Sequence, residues 1–194
     1  MLAALAFFAQ AQQPDQKFMQ MAVYRASSPI EDPTAAGGFG TADNLPQLVD
    51  RSKLGKGLKA TVQRIKDGFV VTVTNGSEPD AWIDAADSNV FGWLEAKDKN
   101  GEWKAIEFKP WYTCGNSYHR VNLPVGYGWS WKSAIPNGDF KTQVRWRFDQ
   151  GRKASYSNVI DANIPITRFA LAPEVAQNNR LETKYGYPML MPIF

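Results

Sequence analysis

From Phe140 to Phe148 the chain alternates with a period of two. Phe140, Thr142, Val144, Trp146 and Phe148 fall on one side, and Lys141, Gln143, Arg145 and Arg147 fall on the other. A strand with one buried and one wet face requires this pattern. Asp149-Gln150-Gly151 then supplies turn chemistry, with Gly151 free to take a positive φ, and Arg152–Ile160 reads as the returning strand. Asp139–Ile160 is thus expected to be a long β-hairpin.

The same signals recur before it. Leu58–Ile65 and Phe69–Asn75 flank Asp67-Gly68, a strong short-hairpin signal. Val90–Lys97 and Glu102–Lys109 flank Asp98-Lys99-Asn100-Gly101, and Tyr118–Leu123 forms a short strand ending at Pro124. Tyr127, Trp129 and Trp131 alternate with Gly128, Ser130 and Lys132. The polar stretch Asp80–Asn89 reads as a crossing loop. Strands at this spacing, with turn signals between them, predict an all-β, antiparallel sandwich over residues 57–165. Seven Trp and eleven Phe supply it with large aromatics.

The flanks read differently. Residues 1–11 look like an export signal: Leu2–Ala9 is a short apolar run, and Ala9-Gln10-Ala11 is a small-x-small cleavage pattern. The run is too short to span a bilayer as a helix, as is every later stretch. Residues 12–56, broken by Pro29, Pro33, Gly37-Gly38, Gly40 and Pro46, read as an extended arm or linker. A short element near Lys17–Ala26 could instead lie along the domain as an edge strand. Residues 166–194 are kept irregular by Pro173, Pro188 and Pro192, with one helical turn expected at Pro173–Asn178. This tail ends in an apolar stretch holding Tyr185, Tyr187, Met189, Leu190, Met191, Ile193 and Phe194. Either it packs back on the domain or it docks on a partner.

The hairpin GDFKTQVRWRFDQGRKASYSNVI resembles the last two strands of bacterial immunoglobulin-like and fibronectin type III-like domains. In these an alternating aromatic and basic strand is followed by a closing strand, here carrying Tyr156-Ser157-Asn158-Val159. Pro124–Trp131 resembles the strand before it. The likeness covers residues 58–161 in strand layout, and it implies a sandwich of about seven to eight strands. Such sandwiches serve adhesion, scaffolding, inhibition and sugar binding, so the fold alone names no activity. Val71–Asn75 with the polar loop after it also resembles the Ig-like bacterial proteinase-inhibitor domain. That likeness implies inhibition through Pro79–Asn89 or Pro110–Ser117.

Charge adds a location. The net charge is +3, too small to imply nucleic acid. Between Asp139 and Lys153 five basic residues stand against two acidic ones, and the remaining 17 basic and 17 acidic residues cancel. Lys141, Arg145 and Arg147 are therefore a candidate contact for a polyanion or an acidic partner. Tyr127, Trp129 and Trp131, spaced about 7 Å apart along one face, form either a sugar platform or part of the core. Cys114 and His119 are the only residues of their kinds, and their spacing is no motif for a nucleophile pair. Asp80, Asp84 and Asp87 lack the regular alternation and glycine of a calcium loop. Asn75-Gly76-Ser77 is a glycosylation sequon that coincides with a turn. No phosphate loop or metal-ligand cluster is present, and no cofactor is expected. The expectation is a non-catalytic exported module, periplasmic or on the cell surface, that binds another protein of an envelope assembly. A peptidase inhibitor and a carbohydrate-binding module are the alternatives.

Overall fold

A computed structural model describes residues 16–28, 44–79, 81–112, 114–151, 153–183 and 186–193. Its strands begin with β1 (Gln20–Met21), β2 (Gln47–Leu48), β3 (Leu58–Ile65), β4 (Gly68–Asn75), β5 (Trp82–Ala86) and β6 (Asn89–Val90). They continue with β7 (Gly92–Lys97), β8 (Trp103–Ala105), β9 (Glu107–Pro110), β10 (Tyr118–Asn122) and β11 (Tyr127–Ser133). The last are β12 (Phe140–Gln150), β13 (Lys153–Tyr156), β14 (Ile160–Ile164), β15 (Asn179–Glu182) and β16 (Met189–Pro192). Among the described residues the one α-helical turn, α1 (Pro173–Ala176), starts on its proline, as the sequence predicts.

The chain is an all-β sandwich. Among the described residues it has four sheets, and two of them face each other: one runs β2-β11-β4-β3 and the other β13-β12-β7-β8, with β14 also paired to β12, while β10-β5-β6 and β1-β9-β16-β15 are separate sheets. β12 is buried at Thr142, Val144, Trp146 and Phe148 and wetter between them, so the alternation that marks the strand also sets its facing. The two sheets meet through Phe69, Val71, Val73, Trp129 and Trp131 on one side and Leu94, Ala96, Val144, Trp146 and Phe148 on the other. Trp131 and Trp146 bridge them at 5.8 Å between ring centroids.

The returning strand of the long hairpin is broken. β13 pairs with Arg147–Gln150 and β14 with Phe140–Val144, and Ser157–Val159 bulge between them. The bulge has a use. Ser157 exchanges hydrogen bonds with the Trp146 backbone, and the Asn158 carboxamide accepts from Val62 N and donates to Val62 O. Asn158 thereby occupies part of the open edge of β3, where another chain could otherwise pair.

One expectation needs correction, and each flank takes one of its two expected courses. The stretch expected as a crossing loop, whose Asp80 lies outside the described residues, is not one from Trp82 on: β5 and β6 form a hairpin there, and β5 pairs with β10. Ile83 and Ala85 face the core, and Asp87 and Ser88 make the turn with φ of 46° and 61°, which sequence signals tied to glycine do not flag. Residues 16–28 do not hang free of the domain. β1 runs parallel to β9, and Met19, Ala22, Tyr24 and Ala26 are buried. The C-terminal stretch likewise pairs, β15 with β16 antiparallel and β16 with β9 parallel. Two parallel pairings thus join the chain's flanks to an otherwise antiparallel fold, both through β9.

Candidate functional site

Two regions outside the apolar core gather chemically capable side chains. The first is the outer face of β7 and β12. Glu95 is almost fully buried there and accepts from the Arg145 guanidinium, with Nε and an Nη both at 2.8 Å. Arg147 lies 3.8 Å from the other Glu95 oxygen and 3.5 Å from Asp149, and it donates to the Gly186 carbonyl. The Arg145 guanidinium is also sandwiched, 4.1 Å from the Trp103 ring and 3.9 Å from the Tyr156 ring, and Arg147 covers Trp93 at 4.8 Å. These cation–π contacts fix both arginines in place.

The basic stripe is therefore not an open row of cations. Glu95 and Asp149 offset Arg145 and Arg147, leaving Lys141 as the exposed member. Arg152 lies outside the described residues. Chain-order counting misses this offset, because Glu95 comes to the stripe across the sheet, in register with Arg145.

The aromatic surface continues from Trp93. Tyr187 packs 6.4 Å from Trp93 and 5.0 Å from Phe91. Phe91 stacks on Tyr118 at 5.9 Å and meets Tyr112 edge-on, and Tyr112 meets Tyr118 edge-on. Tyr118 is 39% and Trp111 37% exposed. Behind them Asn89 donates to the Tyr112 hydroxyl, and burial raises the phenol's pKa. This edge unites β7, β10, the β9–β10 loop and the C-terminal stretch. It was missed because its members are scattered along the chain and only its geometry makes it one surface.

Two carboxyls border this edge and titrate unusually. Burial is the main force raising Asp149, to about 6, with Asp84 and Glu95 adding to it against Arg147. Burial also raises Asp84, against a hydrogen bond from Gly151 N–H. A folded pKa above the unfolded value means that the folded chain holds the proton more tightly. Stability should then rise as the pH falls from 7 towards 5. The expected gain in Tm is about 2–4 °C, reduced in Asp149→Asn; thermal unfolding that shows no rise would contradict the assignment.

The second region is a buried ionic junction around β9. Glu107 Oε2 accepts from the Tyr24 hydroxyl at 2.7 Å and from Leu94 N at 2.9 Å, and Oε1 accepts from Ser133. Lys109 is fully buried and donates to Ala22 O, Val90 O and Asn89 Oδ1. Burial pushes its ammonium down to about 7, with Glu107 opposing, while three oxygen acceptors suit its three protons. Arg168, also buried, donates to Gln16 O and Phe18 O. Burial lowers it to about 10, against the Glu107 charge. Glu107 has three donors and two cationic neighbours. That arrangement ties five chain segments together and leaves Ser133 donating to a carboxylate.

The remaining candidates separate. Trp129 and Trp131 are buried, the Trp131 indole donates to Arg25 O, and only Tyr127 of the three is half-exposed, so no sugar platform exists there. Met189 and Met191 are buried, Tyr187 and Leu190 are half-buried and Ile193 is exposed; the described part of the tail is packed down. Tyr185 and Phe194 lie outside the described residues. Cys114 is exposed, whereas His119 is buried with Nδ1 at 3.0 Å from Ser117 O. Asp84 sits in β5 and Asp87 at the turn; Asp80 is outside the described residues. Among the described residues no three His, Cys, Asp or Glu side chains could hold a metal ion. Asn75 is buried, and its amide nitrogen donates to Glu78 O and Leu123 O, a turn lock rather than an accessible sequon.

Among the described residues no helix is long and apolar enough to cross a membrane. No protein-family model, curated protein or solved structure matches this chain.

Proposed function

We propose that this chain is a non-catalytic binding module of the immunoglobulin-like or fibronectin-like kind, exported to an envelope or surface assembly, and that it holds a partner protein through the Trp111–Tyr118 edge. The observation that carries the reading is the exposure of Trp111 and Tyr118 beside a stacked aromatic cluster. Trp and Tyr dominate the energetics of protein contacts, most of all where neighbours hold them in place and little side-chain entropy remains to be lost. Phe91, Tyr112 and Tyr187 provide that support. The apolar start followed by Ala9-Gln10-Ala11 supports export.

Affinity purification of the native protein, compared with a Trp111→Ala/Tyr118→Ala variant, tests this. A specific partner should be lost from the variant, with binding weakened by about 100-fold or more, since hot-spot aromatics contribute about 2 kcal/mol or more each. The variant should stay folded with a Tm lowered by a few degrees, because Tyr118 also packs on Phe91 and Tyr112. An unchanged set of copurifying proteins would remove the reading. Retention of Tyr118-dependent binding to a glycan array, with no protein partner, would favour the carbohydrate-binding alternative at this edge.

A further inference from the structure

The sandwich also carries a concavity built of chemistry different from that of the aromatic edge. Beside β2 lies a cleft of about 580 Å³ lined by Leu48, Val49, Arg51, Leu54, Lys56 and Val125, with Gly55, Gly76 and Gly126 as its backbone floor. The floor is bare for a geometric reason: the Gly55 carbonyl lies so close to Gly76 that no β-carbon fits there. Leu48 is 76% exposed and Val125 50%, large apolar side chains that the fold leaves in water.

The charge around this cleft is mostly positive. Arg51, Lys53, Lys56 and Lys59 are all exposed. The neighbouring carboxylate, Asp50, is committed to capping the turn at Arg51–Lys53, where it accepts from Ser52 N and Ser52 Oγ. Among the described residues these cations have no aromatic sandwich or buried glutamate of the kind that holds Arg145. β2 is also the outermost strand of its sheet, so its far edge is unpaired among the described residues.

We propose that this cleft docks an extended segment of a partner protein in which acidic residues alternate with apolar ones. The proposal rests on the reading of the chain as a binding module and adds a second contact with its own chemistry. An extended strand has two faces, so alternate side chains can meet Leu48 and Val125 while the others meet Arg51 and Lys56. Its backbone supplies hydrogen bonds to the β2 edge, which an anionic bilayer does not offer. The concave shape and the open edge therefore select a peptide segment over a lipid surface, and the cations select an acidic one.

Fluorescence anisotropy on the full chain tests this with a labelled extended peptide of alternating Asp and Leu, and with its Lys-for-Asp counterpart as control. The acidic peptide should bind saturably and the basic one should not. Arg51→Glu/Lys56→Glu and, separately, Leu48→Asp should each weaken binding by about tenfold or more, as should raising the salt for the wild type. Absence of saturable binding, or equal binding by the charge-reversed variant, would overturn the inference. So would sedimentation with phosphatidylcholine–phosphatidylglycerol vesicles without peptide binding, or a dimer that disappears with the same charge reversal. The aromatic-edge variant separates the two ideas. Peptide binding unaffected by Trp111→Ala/Tyr118→Ala belongs to the cleft alone, and partner loss in that variant without any peptide binding leaves only the first reading standing.

Discussion

Glu107→Leu is expected to lower the stability of this protein by about 3–5 kcal/mol, the range for removing one partner from a buried charge cluster. The side chain is isosteric enough to avoid a large cavity, so the loss measures polar chemistry. Without the carboxylate, the buried Tyr24 hydroxyl and Leu94 N–H lose their acceptor, as does the half-buried Ser133 hydroxyl. Each unpaired buried group costs about 1–3 kcal/mol. Arg168 and Lys109 also lose the anion that opposes the effect of burial on both. Glu107→Gln keeps an acceptor oxygen and should fall between the wild type and leucine. Glu107→Leu combined with Arg168→Met should cost less than the two single changes added together, because the second change removes a charge that the first has orphaned. Denaturant unfolding measures all four. A loss below about 1 kcal/mol for Glu107→Leu would show that the junction does not depend on this carboxylate.

That junction also shows where sequence reading stops. The segment Met21-Ala22-Val23-Tyr24 buries Ala22 and Tyr24 and leaves Met21 and Val23 about half exposed, so its apolar residues give no alternation to detect. Its pairing with β9 is parallel and joins residues more than eighty positions apart. Neither turn residues nor periodicity encode such a contact. The antiparallel hairpins were legible because their signals are local. Leu58–Ile65 and Phe69–Asn75 lie in strands as expected, although the turn falls on Lys66-Asp67 and Gly68 already pairs with Ile65. Gly151 takes the anticipated positive φ, at 61°. At Trp129 and Trp131 the alternation was legible but the choice of face was not, since a row of aromatics beside small residues fits a core and a binding platform equally. Only the opposing sheet, through Trp146, decides it. The basic stripe failed as an open site for a related reason: Glu95 lies 50 residues before Arg145 in the chain yet pairs directly with it.

Trp146 is where the hairpin's local signal and the long-range packing meet, and Trp146→Ala is expected to cost about 3–5 kcal/mol. The ring is fully buried, stacks on Phe148 at 5.0 Å, and packs against Tyr24 at 5.2 Å and Trp131 at 5.8 Å. Removing it would empty the place where both sheets and the N-terminal segment touch. Little of the cost should come from hydrogen bonding, because the indole N–H has no partner; Trp146→Phe should therefore retain much of the stability. A neighbour gives a sharper test. Gly92 lies opposite Phe148 on the adjacent strand, and a β-carbon there would overlap the Trp146 indole. Gly92→Ala alone should destabilise by about 1–3 kcal/mol through overpacking. In the Trp146→Ala background the same methyl enters space the indole has vacated, so its cost should shrink or reverse. The double-mutant cycle then reads the contact between the two positions directly. Additive losses would mean that Trp146 does not lie over Gly92, and a cost below about 1 kcal/mol for Trp146→Ala would place the ring outside the core.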